Sequence, residues 1–347
     1  MFAGKNDNNS SSIDIMKYIA AIMVIIIHVG PIFEHWPLVN HVFVNGICRV
    51  ATPLFFVSSA FFVRHKMKSN PQYLKQYVKS IFKIYCFWSL VYLPLGLQYI
   101  AANFDIPLYL YPVALVIAFF YIGAYYHLWY IPALLFGLWF VDYLMKHMSK
   151  RIVYVLVILL YAFACLETHR ELIANTYLLT LIDTYLGIFV TPRNGLFFAP
   201  IFITIGYVIS DQDNKSTKRT LWLGMLLSLA GLIAEGTWIY YNRGHDSNAL
   251  VFLAPLSYFI FKWVCTLNVT VPFNTKVLRR WSTNYYFGHL LILTFCEWFF
   301  GVIGLGSVWM QFGLMRFVLV LALTHIAVEV GEYLRIRFTS YKKAIQP

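Results

Sequence analysis

The feature that most limits the fold of this chain is a series of apolar runs, each long enough to cross about 30 Å of hydrocarbon as a helix. The 347 residues are 60% apolar and only 12% charged, whereas a water-soluble domain of this length needs more charge on its surface. The sequence therefore predicts an all-α, polytopic membrane protein with about ten transmembrane helices. The runs lie near 15–33, 43–63, 80–101, 128–145, 152–167, 186–209, 220–241, 249–267, 283–303 and 310–334.

One further apolar stretch, 107–126, is interrupted by two prolines and a glycine. If this stretch does not cross the membrane, most of the 27 lysines and arginines fall on one side, as in cytoplasmic loops. We therefore predict that 107–126 is an interfacial or re-entrant segment, and that both termini are cytoplasmic. The predicted divisions are a tail at 1–14, a transmembrane domain at 15–336 and a tail at 337–347. The basic segments are 64–83, 146–151, 215–219, 276–280 and 335–343, together with Lys5 and Lys17.

This topology accounts for the formal net charge of +12, because the basic residues cluster between apolar runs, as they do in cytoplasmic loops. We therefore expect a lipid bilayer as the partner of this charge, and no nucleic acid. The five cysteines stand singly in apolar segments, without the spacing of a metal site, so we expect no bound metal.

The first apolar run contains Lys17 and His28, which are eleven positions apart. A helix brings them to within roughly 20° of the same face and separates them by about 16 Å along its axis. A buried neutral imidazole can act as a general base near neutral pH, whereas the structural alternative is a packing histidine that bonds a neighbouring carbonyl. Lys17 is either an interfacial lysine at a helix end or, with Lys79 and Lys83, part of a cationic site for phosphates.

Two more charged residues lie at membrane depth. Arg49, in the second run, either extends to the outer interface or stabilises an oxyanion beside an imidazole. Glu235 lies within the seventh run and needs a partner from another helix, for which His28 and Arg49 are the candidates. The aromatic segment His127-Leu128-Trp129-Tyr130, at the outer end of the fourth run, is typical of a membrane interface and can also stack on a sugar ring.

The order and spacing of these residues resemble the membrane acyltransferase-3 family. The resemblance rests on Lys17, the ten residues after it and His28, and on Arg49 with the run Pro53-Leu54-Phe55-Phe56-Val57-Ser58-Ser59-Ala60-Phe61-Phe62. It continues through Lys79, Lys83, the aromatic segment at 127–130, Arg193-Asn194-Gly195-Leu196-Phe197-Phe198 and 282–289, and so covers nearly the whole chain.

Residues 16–62 are most similar to the membrane domain of vancomycin-resistance serine racemases and to bacterial polysaccharide O-acetyltransferases. Two departures stand out. Lys17 occupies a position where arginine is commoner, and Ser58-Ser59-Ala60-Phe61-Phe62 replaces the usual Ser-Gly-Phe-Phe. The first departure preserves the charge.

The resemblance implies a multi-pass protein of the cytoplasmic membrane. Such a protein transfers an acyl group, usually acetyl, from cytoplasmic acyl-coenzyme A to a hydroxyl of a cell-envelope carbohydrate. Acetyl-coenzyme A is then a co-substrate, and no cofactor is bound permanently. The implied roles are catalysis for His28, Arg49 and Glu235, acyl-donor binding for Lys17, Lys79, Lys83, Ser58 and Ser59, and acceptor binding for His127, Trp129, Tyr130 and Arg193.

The chain ends just after the last apolar run, without a soluble catalytic module. We therefore expect transfer directly to the acceptor or through a separate extracytoplasmic partner. The alternative from another functional class is a transporter or flippase of an envelope saccharide or acyl intermediate, in which these polar residues line a pathway.

Overall fold

The computed structural model describes residues 6–212, 216–242 and 248–345, and it describes the side chains of those that lie between residues 11 and 338. Two residues of the predicted basic pattern, Lys5 and Lys215, lie outside the described residues, as do the side chains of Lys342 and Lys343. Parts of both predicted tails also lie outside, and the predicted division into tails and one transmembrane domain stays a prediction.

All regular secondary structure in the described ranges is helical. A π-helical segment, His41–Gly46, and a 3-10 segment, Ile47–Val50, connect the helix Pro37–Asn40 to the helix Ala51–Met67 without a loop. The α-helices of the described residues are, from α1 to α14, Asn6–Val29, Pro37–Asn40, Ala51–Met67, Tyr73–Asn103, Tyr111–Tyr121, Tyr130–His147, Lys150–Thr168, Thr176–Phe189, Ala199–Asp211, Lys218–Asn242, Leu253–Val264, Lys276–Val302, Gly306–Gln311 and Gly313–Ile345.

Within the described part of the chain, eight helical segments are long and apolar enough to cross a membrane. The prediction of an all-α polytopic membrane protein is therefore confirmed, whereas the number of crossings and the side of each terminus stay predictions. The eight segments are Ser11–Val29, Pro37–Met67, Tyr73–Asn103, Tyr126–His147, Lys150–Thr168, Lys218–Asn242, Lys276–Val302 and Gly313–Phe338.

Two predicted spans differ from the structure. The run at 186–209 is divided between α8 and α9, because Val190 has a φ of 66° and Pro192 has no backbone N–H to continue a helix. The run at 249–267 contains α11, which has only 12 residues. The stretch 107–126 contains α5, whose 11 residues are too few to cross a bilayer. Its interfacial or re-entrant placement stays a prediction.

Two compact units divide the chain, and the first consists of residues 1–51 and 267–347. In this first unit α1 packs along α12, and α14 packs against both helices. Asp14 on α1 is 1% exposed, and its carboxylate accepts hydrogen bonds from Nε and Nη2 of Arg279 on α12, at 2.8 and 3.0 Å. The hydroxyl of Thr275 donates to the same carboxylate at 3.2 Å. This ion pair therefore connects the two helices that carry the residues described below.

The second unit consists of residues 52–266. Its main helix contacts join α10 to α11, α6 to α9, α7 to α9 and α4 to α6. The rings of Phe56, Phe198 and Phe202 are fully buried between α3 and α9. At Gly206 a Cβ atom would lie 2.7 Å from Cβ of Ala60, so glycine permits the close approach of α9 to α3.

Candidate functional site

His28 lies in the last turn of α1 and is half-buried. Its Nδ1 is 2.8 Å from the carbonyl oxygen of Val24 and 3.3 Å from Nε2 of His289 on α12. A carbonyl oxygen can only accept a hydrogen bond, so Nδ1 carries the hydrogen. The basic lone pair of neutral His28 is therefore on Nε2, which is the nitrogen that can take a proton.

His289 is fully buried, and its Nδ1 lies 2.8 Å from the carbonyl oxygen of Tyr285 and 3.0 Å from that of Tyr286. By the same reasoning Nδ1 of His289 carries its hydrogen, and Nε2 is a second, longer acceptor for the hydrogen that His28 donates chiefly to Val24. The two ring centroids are 5.0 Å apart, with the rings inclined at 57°. Each imidazole therefore donates its hydrogen chiefly to a carbonyl group of its own helix, and the two rings meet at the 3.3 Å contact.

Sequence reasoning assigned no role to His289. The signal that could have found it is the one that found His28, an imidazole within an apolar helix.

Arg49 belongs to the same unit as the two histidines. It lies in the 3-10 segment Ile47–Val50, which contacts α1, and its side chain is half-buried. The π-helical segment His41–Gly46 immediately precedes it, and such departures from α-helical winding are frequent at functional sites. The structure thus brings the elements that carry the predicted base and the predicted oxyanion-stabilising cation into contact.

Lys17 is half-buried on α1, within electrostatic reach of Arg279 and Asp14. Two cations and one carboxylate therefore lie together here, with a net charge of +1. The sequence predicted Lys17 as a cation of the acyl-donor site, and the structure adds Arg279 to its surroundings. The side chain of Arg279 is 46% exposed, whereas that of Asp14 is buried.

The other predicted donor residues belong to the second unit. Lys79 and Lys83 lie one turn apart on α4 with exposed side chains, and neither forms an ion pair with a described residue. Ser58 is fully buried and donates to the carbonyl oxygen of Phe55 within α3, which is a helix-packing contact. Ser59 has its hydroxyl 3.3 Å from that of Tyr130, so a predicted donor residue contacts a predicted acceptor residue.

Glu235 has partners other than those that the sequence suggested. Its carboxylate accepts from the backbone N–H of Val251 at 2.7 Å and of Phe252 at 3.1 Å, just before α11 begins. Its Oε1 also lies 3.1 Å from Nε2 of His169. Neither His28 nor Arg49 is therefore the partner, and the contacts of this carboxylate are those of a residue that positions the start of α11.

His169, the residue after α7, was missed because it lies outside the apolar runs. Its Nδ1 is 2.8 Å from the carbonyl oxygen of Cys165, while Nε2 faces the carboxylate of Glu235. Both neighbours only accept, so both ring nitrogens donate and the imidazole is protonated. The hydrogen bond to Glu235 accordingly raises the pKa of His169 above its ordinary value of 6.5.

The predicted acceptor residues separate into two groups in the second unit. Trp129 and Arg193 line a cavity of about 100 Å³. His127 is 2% exposed and packs against the ring of Tyr92, with centroids 4.6 Å apart. Tyr130 is buried against Phe56, also at 4.6 Å between centroids. The cavity therefore unites two of the four residues, while the other two belong to the core.

Comparison with protein families matches residues 10–328 to the acyltransferase domain of the acyltransferase-3 family. The chain belongs to this family. The resemblance drawn from the sequence motifs is thus confirmed, and membership supports a membrane acyltransferase in general. No solved structure matches the chain.

Curated acyltransferase-3 relatives carry the names of racemases. A serine/alanine racemase of Enterococcus gallinarum is 32% identical over 260 residues, which are 73% of this chain and 36% of the relative. Two amino-acid racemases of Enterococcus faecalis are 30% and 28% identical, over 62% and 70% of this chain and 30% and 36% of their own lengths. The chain therefore spans only about a third of the length of these relatives.

Proposed function

We propose that this membrane acyltransferase moves an acyl group, acetyl by family preference, from cytoplasmic acyl-coenzyme A to a hydroxyl of a cell-envelope carbohydrate. Transfer takes place at the outer side of the cytoplasmic membrane. The observation that supports this proposal best is the arrangement of His28 and His289, which makes Nε2 of His28 a proton acceptor within a membrane helix. A hydroxyl is a weak nucleophile until such a base removes its proton.

In the proposed step, Nε2 of His28 takes the hydroxyl proton while the hydroxyl oxygen attacks the thioester carbonyl. The new C–O bond forms, and the negative charge that develops on the carbonyl oxygen is stabilised by Arg49. When the C–S bond breaks, the imidazolium returns the proton to the departing sulfur. The products are the ester and free coenzyme A. The carbonyl oxygen of Val24 accepts the hydrogen on Nδ1 of His28 throughout, with Nε2 of His289 as the second acceptor, so the ring keeps one orientation.

The donor phosphates are assigned to the cationic residues. Lys17 lies near the middle of α1, within electrostatic reach of the partly exposed Arg279, and His28 lies in the last turn of the same helix. Their separation along the helix, about 16 Å, is comparable to the reach of a pantetheine arm. Lys79 and Lys83 form a second cationic surface, which is open to phosphate because no described residue pairs with it.

The test of the proposed chemistry uses the purified full-length chain in detergent with acetyl-coenzyme A, and it measures the release of free thiol. We expect His28→Ala to lower the rate by about 100-fold, the typical contribution of a general base. Arg49→Gln should lower it as well. His35→Ala, which replaces an exposed histidine of the same unit, is the matched control and should retain the rate.

Unchanged turnover in both His28→Ala and Arg49→Gln would refute the mechanism. The transporter or flippase alternative makes different predictions. It predicts that the wild-type protein does not consume acetyl-coenzyme A, and that movement of its substrate survives His28→Ala.

The donor site is tested separately through the KM for acetyl-coenzyme A. Replacing Lys79 and Lys83 by glutamine should raise the KM by about tenfold, through the loss of charge-assisted hydrogen bonds to phosphate. Lys150→Gln, at an exposed position on α7, is the control. If the double variant keeps the wild-type KM, these two lysines do not bind the donor.

A further inference from the structure

The cavity of the second unit is a small aromatic enclosure with two polar groups at its wall. Its volume is about 100 Å³, and its lining includes Tyr99, Tyr125, Tyr126, Trp129, Val190 and Arg193. The rings of Tyr99 and Tyr126 are 5.8 Å apart, and those of Tyr125 and Tyr126 are 4.6 Å apart. Aromatic faces of this kind accept the apolar face of a ring-shaped ligand, while polar groups between them set its orientation.

Arg193 has unused hydrogen-bonding capacity at this cavity. Its guanidinium carbon lies 5.1 Å from the ring centroid of Trp129, and its Nε is buried without an acceptor. Among the described residues, no side chain or carbonyl group accepts a hydrogen bond from this guanidinium. Five donors in a fixed planar arrangement match the oxygens of a carboxylate or phosphate. Leaving such donors without acceptors is unfavourable, and an oxyanion in the cavity removes that penalty.

Tyr99 is the second polar group. Its hydroxyl makes no hydrogen bond to any described residue, although its ring packs within the aromatic cluster. A ligand hydroxyl can therefore bond there without displacing a protein contact.

The loop that carries Arg193 is held rigidly. The carbonyl oxygen of Thr191 accepts from the hydroxyl of Tyr121 at 2.8 Å. The side-chain amide of Asn194 donates to the hydroxyls of Tyr121 and Tyr185, at 2.8 and 3.1 Å. Its oxygen accepts from the backbone of Leu196 and Phe197, ahead of α9. The backbone of Arg193 is therefore already ordered before any ligand binds. Such preorganisation lowers the entropic penalty of binding.

Val190 shows that this loop conformation is maintained against a local preference. Its φ of 66° is a true outlier for a β-branched residue. Strain of this kind persists only where the surroundings over-determine the backbone, and it is concentrated at ligand-holding sites. Val190 lines the same cavity as Arg193, so the strained residue and the unsatisfied guanidinium belong to one site.

We propose that this cavity binds a negatively charged sugar unit. The sugar ring packs on the aromatic side chains, its carboxylate or phosphate accepts hydrogen bonds from Arg193, and a hydroxyl bonds Tyr99. This assignment rests on the proposed function, because it names the class of acceptor carbohydrate as one that carries an oxyanion.

The test measures binding to the full-length protein in detergent by saturation-transfer NMR, without any acyl donor. The probes are methyl β-D-glucuronide, glucose 1-phosphate and the neutral methyl β-D-glucoside. We expect at least one charged probe to bind about tenfold more tightly than the neutral probe. The tighter of the two charged probes identifies the oxyanion as carboxylate or phosphate.

Arg193→Gln should abolish the preference for the charged probe. Arg193→Lys keeps the charge and should retain part of the preference, which separates charge recognition from a folding defect. Arg151→Gln removes an exposed arginine of the same unit that does not line the cavity, and it should behave as wild type. Equal binding of all three probes to the wild type, no binding of any probe, or an unchanged preference in Arg193→Gln would each overturn the proposal.

The binding assay and the acyl-transfer assay test the sugar site and the proposed function separately, so either proposal can be refuted without the other. Charge-selective sugar binding by a protein that never consumes acetyl-coenzyme A would overturn the proposed function and keep the sugar site. Acetyl transfer by a protein with no preference among the three probes would overturn the sugar site and keep the proposed function.

Discussion

Nδ1 of His28 lies 3.3 Å from Nε2 of His289, across 261 positions of sequence. Because each Nδ1 also faces a backbone carbonyl, both neutral rings carry their hydrogen on Nδ1. The carbonyl group of Val24 determines that Nε2 of His28 is the basic nitrogen, and the contact places a buried imidazole beside Nδ1. His289 is therefore a positioning residue for the base that we propose.

This relationship predicts the behaviour of two substitutions at position 289. His289→Leu removes the second acceptor of the Nδ1 hydrogen and should lower kcat by about tenfold, the equivalent of one hydrogen bond. The KM for acetyl-coenzyme A should stay near the wild-type value. His289→Gln offers an amide oxygen at the same side and should recover part of kcat. A His289→Leu protein that is folded and has full kcat would show that His289 does not position His28.

The pair of Asp14 and Arg279 predicts a stability effect in the first unit. Arg279→Gln leaves the buried carboxylate without its charged donor and should lower the free energy of unfolding by about 2 kcal/mol. Adding Asp14→Asn should cost less than the sum of the two single changes, because the residues are in contact. Unfolding in a titration with denaturing detergent measures these differences.

A surface pair provides the control for that measurement. Arg335 is 71% exposed and pairs with Glu332, so Arg335→Gln should leave the unfolding midpoint almost unchanged. If Arg279→Gln unfolds at the same midpoint as Arg335→Gln, the buried pair does not stabilise the contact of α1 with α12.

His169 predicts a pH dependence in the second unit. Its pKa in the folded protein is raised above the ordinary value of 6.5, so the folded state binds the proton more tightly than the unfolded state. The stabilisation by protonated His169 is therefore fully present below pH 6.5 and is lost as the pH rises through the raised pKa. The Tm difference between wild type and His169→Gln should be largest near about pH 6 and should shrink toward about pH 9.

His147→Gln replaces an exposed histidine at the end of α6 and provides the matched comparison. Its Tm should follow that of the wild type across the same range. A Tm difference for His169→Gln that stays constant or grows with pH would contradict the ion pair with Glu235.

The sequence predicted those features whose residues all lie within one helix. The apolar runs revealed the membrane fold, and His28 was recognised because an ionisable group in such a run is unusual. The same reasoning could not pair residues on different helices. The partners of His28 and Asp14 lie 261 and 265 positions away, and only helix packing selects them. Glu235 illustrates the limit, because its depth was recognised while its partner at the end of α7 was not.

The cavity could not be predicted from the sequence either. Trp129 and Arg193 were both expected to bind an acceptor, but their proximity depends on a break between α8 and α9, whereas 186–209 was predicted as one span. The break follows from the backbone of Val190 together with Pro192, and the positive φ of Val190 is the part that its β-branched side chain does not predict. Asn194, whose side-chain oxygen accepts from the backbone of Leu196 and Phe197, was quoted only as part of a family motif.

The first unit is made from the two ends of the chain, and this has a consequence for biogenesis. During synthesis, α1 enters the membrane long before α12 exists. At about 5–20 residues per second, the ribosome needs about 10–50 s to add the residues between His28 and His289. Throughout that interval the nascent protein has neither the buried ion pair of α1 nor the contact of His28 with His289. Acyl transfer as proposed here therefore cannot begin on a partly translated chain, and it becomes available only when the last helices have joined the first.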